Sequence, residues 1–595
     1  MSELNEQAKK HEQMVASELH KTRKFMSKYQ NARQNQGVMA AFDSLQNDNP
    51  IMPESLQKLL DSRNINGKQG LEAVLDGLEM GIETYKQRNG GEMPPTNVIL
   101  SAFDAALNTC TEHTTDPQAK AILDSLSFDH HEATSVVQAA AQVTIMTNIA
   151  NALPIVAQLP NPTGSNEVPL VYGRTTAAHR HAMFNVGEYI DGPKSGQPYF
   201  ENRHTITMKK EGSKFSTDIH VGYKKLVNAD GTVRYEVDTD TPKAPFLGGR
   251  VVITVKGVAV ANDASRHHKT KSGTSVLQPL GDEGVTIGEK TYLVKTARAD
   301  LDNHSVEVVF DEAKDVPEEH EVEVQVIFDF ERKDANGKDY ILTPPGLDMT
   351  FETASVFAAP SRARVVATID AITQMQNELG LSWNAAVLGV IQQKFHLEQA
   401  GRLLREQVRS CMYQEDRLES FDAQKTGINY TNLDAMFDAL KAKLGLARTK
   451  LAESLNRPIH GVDIFVGMMG AAVFNAMSDS IYKPTNLSYG DESSIYRIGT
   501  LNDGTNVYFV PRSLGVFDET KAKTTASALM LPRAANPAIA PFVGHTAVAP
   551  LVLSASPDAF EQQVAVYSRT AAERNPHQDF GNQGMLIQMI NIPNI

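Results

Sequence analysis

Residues 496–512 read YRIGTLNDGTNVYFVPR. The pattern is a strand, a turn and a second strand, a well-formed β-hairpin. No catalytic group falls within it, so its purpose has to be read from what surrounds it. Just upstream, Gly461-Val-Asp-Ile-Phe-Val466 reads as a buried strand, and a helix of small residues follows over 469–477. Before that, residues 432–444 set Leu433, Met436, Leu440 and Leu444 on one side of a helix. Earlier still, 385–412 predicts a long helix with Val387, Ile391, Leu404 and Val408 on a common stripe. Glu398–Arg402 and Arg402–Glu406 are i,i+4 pairs that support its exposed side. At about 1.5 Å per residue this helix would be roughly 40 Å long, a length typical of coiled coils and elongated scaffolds.

Residues 200–345 change character. In His320-Glu-Val-Glu-Val-Gln-Val-Ile-Phe-Asp-Phe330, apolar and polar residues alternate, so Val322, Val324, Val326, Phe328 and Phe330 share one buried face. Residues 250–255 and 305–310 are further strands, and Asn228-Ala-Asp230-Gly231 and Asp334-Ala-Asn336-Gly337 are turn signals. This spacing predicts a small sandwich or barrel. Asp334 and Asn336 hint at a calcium loop, but an EF-hand loop needs its glycine at the sixth position and Gly337 falls at the fourth. A plain hairpin turn fits better.

Residues 133–200 open with a helix and continue through Pro154, Pro160 and Pro162 to a strand at 168–173. Gly187, Gly192, Pro193, Gly196 and Pro198 follow, the composition of an extended arm and a long loop; loops of this length usually bind something. Residues 1–132 read as helical and polar. Leu56, Leu59, Leu60, Leu71, Val74, Leu75 and Leu78 keep a helical spacing, and the segment carries 13 Lys and Arg against 19 Asp and Glu, a net of −6. At its end Phe128-Asp-His-His-Glu132-Ala133 meets an apolar, small-residue run over 136–143. Two readings stand here: an independent helical domain or partly disordered arms, and a segment needed temporarily and then cut away at this junction.

The whole chain, 595 residues and 65.1 kDa, is long enough for three or four domains. It is 41% hydrophobic and 22% charged, the composition of a folded, soluble protein. No apolar run approaches the ~18 residues that span a bilayer. The polar start MSELNEQAKKHEQM lacks the apolar core of a signal peptide. With two cysteines, Cys110 and Cys411, disulfides hold nothing together, and a cytoplasmic product is expected. The net charge of −14 argues against sequence-reading contacts to nucleic acid, which need Lys and Arg on phosphates. It is compatible with a protein that encloses nucleic acid without gripping it.

Motifs for chemistry are missing. There is no P-loop, no GxGxxG after a strand, no GxSxG elbow, no HExxH and no cysteine pair at zinc spacing. Arg266-His-His-Lys269 and His179-Arg-His181 read as loop histidines; two histidines one apart could bind a metal, but exposed histidines that bind nothing are far commoner. Gly467-Met-Met-Gly470 lets a helix start pack tightly and offers no Lys, Ser or Thr to a phosphate. Cys411 reads as core. No catalytic, cofactor or metal residue is expected, and an enzyme is not.

The ordered combination resembles the major capsid protein of tailed bacteriophages, with its Hong Kong 97-type fold. The Gly/Pro tract of residues 172–199 resembles that family's extended loop. Residues 351–412 resemble its peripheral domain and spine helix. The strand 461–466, the short helix and Arg497-Ile-Gly-Thr-Leu501…Val507-Tyr-Phe-Val-Pro511 resemble its axial domain, and the apolar, Pro-rich text of 527–543 and the ending through Val564, Arg569, Asn575 and His577 follow in the same manner. The resemblance covers roughly 133–200 and 345–595.

It implies an α+β chain of five parts: a scaffold-like helical segment (1–132), N-arm and extended loop (133–200), an inserted β-rich domain (201–345), a peripheral domain with the spine helix (346–425), and an axial domain with a C-terminal return (426–595). It further implies homo-hexamers and homo-pentamers forming an icosahedral head around double-stranded DNA, without sequence-specific binding, cofactor or membrane. Expected partners are a portal, a prohead protease, and scaffold or decoration proteins. The location is the virion, after assembly in the host bacterial cytoplasm. Family members often lose an N-terminal segment after a glutamate, and Glu132–Ala133 resembles such a site, although His130 stands where a Leu or Ile is common. The hairpin would then be a flat wedge face repeated around a ring axis. Two rival readings are an encapsulin-like compartment, whose members are shorter and lack both extra segments, and an adhesin or enzyme built on the β-domain.

Overall fold

The computed structural model describes every residue except 1, 37–51, 63–64, 66–67, 108–129, 154–155, 162–163, 192–194, 228–230, 264–271, 335, 380–382, 425–432, 456–458, 460, 486–493, 518–524, 535, 559 and 593–595. The chain forms two units: Met1–Tyr172 with Glu352–Ile595, and Gly173–Phe351. It leaves the first along strand Glu167–Ala177 and returns along Leu347–Phe357, and these two strands pair.

In the first unit, the strand Val462–Val466 is buried at every position and lies near the centre of a seven-stranded sheet. A strand covered on both faces reads as an unbroken apolar run, which Val462, Ile464, Phe465 and Val466 nearly supply. The sheet order is Leu418–Asp422, Met585–Ile590, Ala526–Pro532, Val462–Val466, Asn506–Phe509, Tyr496–Leu501, Tyr482–Pro484. Helix Leu433–Leu455 covers one face with Met436, Phe437, Leu440, Leu444 and Leu451, joined by Val473 and Phe474 of helix Met468–Asn475. Helix Trp383–Met412 covers the other with Leu403, Leu404, Val408 and Cys411, against Phe465, Tyr508 and Leu529. The long helix is therefore the cover of a sheet. Its 30 residues make it about 45 Å long. Arg402 and Glu406 pair across one turn at 3.3 Å on its outer side, and Lys394 pairs with Glu398 at 3.5 Å.

The hairpin of residues 496–512 is found where expected. Tyr496–Leu501 and Asn506–Phe509 pair with a register shift between Arg497 and Gly499. Asn506–Phe509 also pairs in parallel with Val462–Val466, and Tyr496–Leu501 pairs with Tyr482–Pro484. Both strands are buried almost throughout. Within the chain the hairpin is interior, packed on both of its sides.

A second sheet of this unit runs Val156–Gln158, Phe542–Asp558, Glu561–Arg574, Ala359–Thr368. The N-terminal helices Ser2–Gln36, Glu54–Asp61, Lys68–Arg88 and Thr96–Leu107 share one core with helix His130–Ala150.

The second unit is built on a nine-stranded sheet whose two edges, Arg203–Thr207 and Lys209–Glu211, are separated in the chain by Met208 alone. Edges joined by one residue force the sheet to curl around its core. Val322, Val324, Val326 and Phe328 lie in that core together with Ile206, Phe215, Ile253, Val308 and Phe310 from the surrounding strands. The Gly/Pro tract was expected as an extended arm and a long loop without a core, and it contributes to a small one. It belongs to this unit and buries Phe184 and Tyr199 with Ala177, so the unit begins at Gly173 and ends at Phe351, where boundaries at 201 and 345 were expected. Two large aromatic rings are too unfavourable in water to leave a tract of this composition extended.

Candidate functional site: the junction helix and the cluster around Arg497

Glu132 and Ala133 lie in the first turn of helix His130–Ala150. The expected boundary between 132 and 133 therefore falls inside a helix. Hydrolysis of that bond needs an extended backbone, so the first turn must fray before a protease can use it. Phe128 and Asp129, the start of the junction motif, lie outside the described residues. Further along the same helix, Ala141, Ile145 and Ile149 are buried against the N-terminal helices. The closest approach is made by glycine. A Cβ at Gly77 would lie 2.7 Å from the Gln142 carbonyl oxygen, and one at Gly81 would lie 3.0 Å from Ile149 Cβ. Helix Lys68–Arg88 thus meets the junction helix nearly backbone to backbone, which only a residue without a side chain permits. The Arg88 guanidinium donates to the Asn151 side-chain oxygen at 2.6 Å and to the Ala150 carbonyl at 3.2 Å, closing the end of the junction helix.

A second cluster forms where the chain after Arg88 meets the hairpin. Arg497 is 7% exposed. Its guanidinium donates to the Asn506 side chain at 3.1 Å and to the Gly90 carbonyl at 3.3 Å, and pairs with Glu92 at 2.6 Å. Gly90 has φ +61, and a Cβ there would lie 2.6 Å from the guanidinium. Nearby, Asp463 is fully buried and takes a forked pair of bonds from Arg533, at 2.9 Å and 2.6 Å. Burial pushes the Asp463 carboxyl up, and the Arg533 cation pulls it back. Burial also pushes the Tyr85 hydroxyl up, helped by Glu92 and Asp463. These groups hold elements together. Each charge faces a partner on a neighbouring element, whereas a catalytic set would converge on a space where a substrate meets an acid and a base.

Neither Arg497 nor Asp463 carries a role in the sequence reading. The available signal is a charge set inside an apolar strand, Val462-Asp463-Ile464 and Tyr496-Arg497-Ile498. A buried charge must have a partner, but the pattern does not say which one.

The third contact joins Asp104 to the arm. Its carboxylate accepts the backbone N–H of Asn161 at 3.2 Å, and Asn161 in turn donates to the Ser165 carbonyl at 2.7 Å and the Thr546 carbonyl at 3.2 Å. Burial pushes the Asp104 carboxyl up to about 7.

The remaining sequence candidates are not brought together. His267 and His268 lie outside the described residues, as does Cys110. Asp334 accepts the N–H groups of Asn336 and Lys338, each at 3.0 Å, as a turn-forming side chain. Gly470 packs tightly, since a Cβ there would meet Val466 Cβ at 2.7 Å. Cys411 is buried, and burial raises its thiol to about 11. His181 is buried in the second unit, 5.6 Å from the His204 ring by centroids, and His204 contacts the Tyr223 hydroxyl at 2.9 Å. Among the described residues no group of three His, Cys, Asp or Glu is arranged to hold a metal, and no helix is long and apolar enough to cross a membrane.

No protein-family model matches the chain, and no curated protein matches it. Solved structures do match. Among them are capsids of tailed phages. The capsid of jumbo bacteriophage PhiKZ matches with a TM-score of 0.35 and 8% identity, over 73% of this chain and 91% of that one. The cyanophage Pam1 capsid matches with a TM-score of 0.28 and 11% identity, over 44% and 82%. The capsid of Ralstonia phage GP4 matches with a TM-score of 0.27 and 10% identity, over 45% and 82%. Scores of this size describe a partial likeness.

Proposed function

We propose that this chain is a major capsid protein of a tailed phage, with the Hong Kong 97-type arrangement, and that its role is structural rather than catalytic. The observation that carries the reading is the order of parts within the first unit. A helical segment and an arm come first, a second unit is inserted between the paired strands Glu167–Ala177 and Leu347–Phe357, and helix Trp383–Met412 then lies on the seven-stranded sheet. In this reading 133–172 supply the arm, 173–351 the inserted unit with the Gly/Pro tract inside it, 352–425 the peripheral domain, and 426–595 the axial domain and return.

Such subunits close into hexamers and pentamers through head-to-tail contacts. The net charge of −14 would keep enclosed double-stranded DNA from adhering to the wall. Residues 1–132 act as scaffold, and a phage protease cuts at Glu132–Ala133 once the first helical turn frays. A portal, and scaffold or decoration proteins, would be further partners, and the virion the destination. Negative-stain microscopy of the chain, expressed alone and with its genomic neighbours, tests the reading. Icosahedral shells, or rings of five and six, are expected; monomers or dimers under both conditions refute it.

A further inference from the structure

The N-terminal helices do not close their own core. Val74, Leu78, Ile82 and Phe103 share it with Ala141, Ile145 and Ile149, which lie beyond the proposed cut. Contacts that join the two sides include the glycine-mediated helix pair at Gly77 and Gly81, the bonds from Arg88 to Asn151 and Ala150, the contacts of Arg497 with Glu92 and Gly90, and the Asp104–Asn161 bond. None passes through the peptide bond between 132 and 133.

We infer that residues 54–107 grip the chain beyond 133 through an interface that survives the cut, so that cutting and departure of the segment are separate events. The inference takes its setting from the proposed processing of a shell protein, while the interface belongs to the subunit itself. Its physical basis is what departure would uncover. Ala141, Ile145 and Ile149 would present an apolar stripe to water, and Arg497, almost wholly buried, would lose its carboxylate partner. Severing one peptide bond removes neither penalty. It removes the tether, so the segment's retention then depends on concentration and on whatever competes for the same surface. A second event, such as a rearrangement of the junction helix, is required to expel it.

The test uses the full chain with the recognition sequence of a site-specific protease inserted between Glu132 and Ala133. After cutting, size-exclusion chromatography with intact-mass detection reads which fragment travels with which. The released fragment is expected to co-elute one-to-one with the remainder. Two variants are expected to shed it. Gly81→Leu forces the helices apart, and Glu92→Arg sets a cation against Arg497. Glu92 is 46% exposed in its side chain, so this second variant keeps the test open where Gly81→Leu fails to fold. Loss of the fragment from the unmutated protein overturns the inference, and so does its full retention in Glu92→Arg. Because retention is read on the subunit, it stands or falls separately from shell formation, which microscopy of the same preparation reports, and from natural processing, which the inserted site bypasses.

Discussion

Replacing Asp104 by Asn isolates one titrating group in the grip of the N-terminal segment. Asp104 is 4% exposed, and burial holds its carboxyl at about 7, against about 3.9 in an unfolded chain. The folded state therefore keeps its proton where the unfolded state has lost it. The stability this supplies is complete below about pH 4 and is lost as the pH rises from there through 7. The full swing, about 3 pK units, is about 4 kcal/mol. Between about pH 5.5 and about pH 8 the loss is about 2 kcal/mol, or about 30-fold in a local opening equilibrium. The substituted asparagine would retain an oxygen to accept the Asn161 N–H and would carry no charge at either pH. Amide hydrogen exchange over helix Thr96–Leu107, corrected for the intrinsic pH dependence of exchange, measures the opening. The wild type is expected to lose about 30-fold in protection across that range, and the Asp104→Asn variant to lose far less. Equal slopes in the two proteins would refute the assignment.

Glu132→Gln is expected to leave full-length chains of 65.1 kDa in assembled particles, where the wild type gives a shorter product; a wild-type particle of intact mass sinks the processing proposal. Asp463→Ala leaves the Arg533 cation unpaired, although its side chain is 32% exposed and can reach water. A loss of about 3 kcal/mol in denaturant unfolding is expected, and a loss under about 1 kcal/mol would show the pair to be dispensable. Burial depresses the His181 imidazole to about 4 and the His204 imidazole to about 3, so the stability they allow is present above their unfolded value of about 6.5 and falls away in acid. His181→Leu is expected to melt like the wild type near pH ~8 and to resist acid better near pH ~4.5; a variant with the wild-type acid profile would refute the role of that imidazole.

Much of the first unit was legible because its signals are local. Four apolar residues at helical spacing predicted the helix observed as Trp383–Met412, and Leu440 and Leu444 predicted the one observed as Leu433–Leu455. In the second unit, period-two alternation found Val322–Ile327; in the first, a nearly unbroken apolar run found Val462–Val466. What stayed hidden is non-local. The Gly/Pro tract has the composition of a projecting loop, and only packing reveals that Phe184 and Tyr199 are buried together. Arg497 sits 407 positions after Gly90, whose carbonyl it bonds. Helical periodicity at Val74, Leu75 and Leu78 announced a buried face without naming the helix that would cover it.

The same distinction accounts for the hairpin. Read alone, its strands fit an exposed wedge as well as a core, because apolar and aromatic residues of this kind favour any pleated surface. The structure separates the two uses residue by residue. Tyr496 lies against Phe509 at 5.4 Å between ring centroids, and Tyr508 stacks on Phe465 at 5.2 Å. Gly499 is the residue that lets Tyr482 cross the strand, since any Cβ there would overlap its ring. Gly504, at φ +84, makes the turn. With these positions committed to the interior, Arg497 is a group through which the hairpin reaches the N-terminal segment. The hairpin therefore works as an anchor for residues that are proposed to leave, and loss of the Glu92 carboxylate is the change it would register when they do.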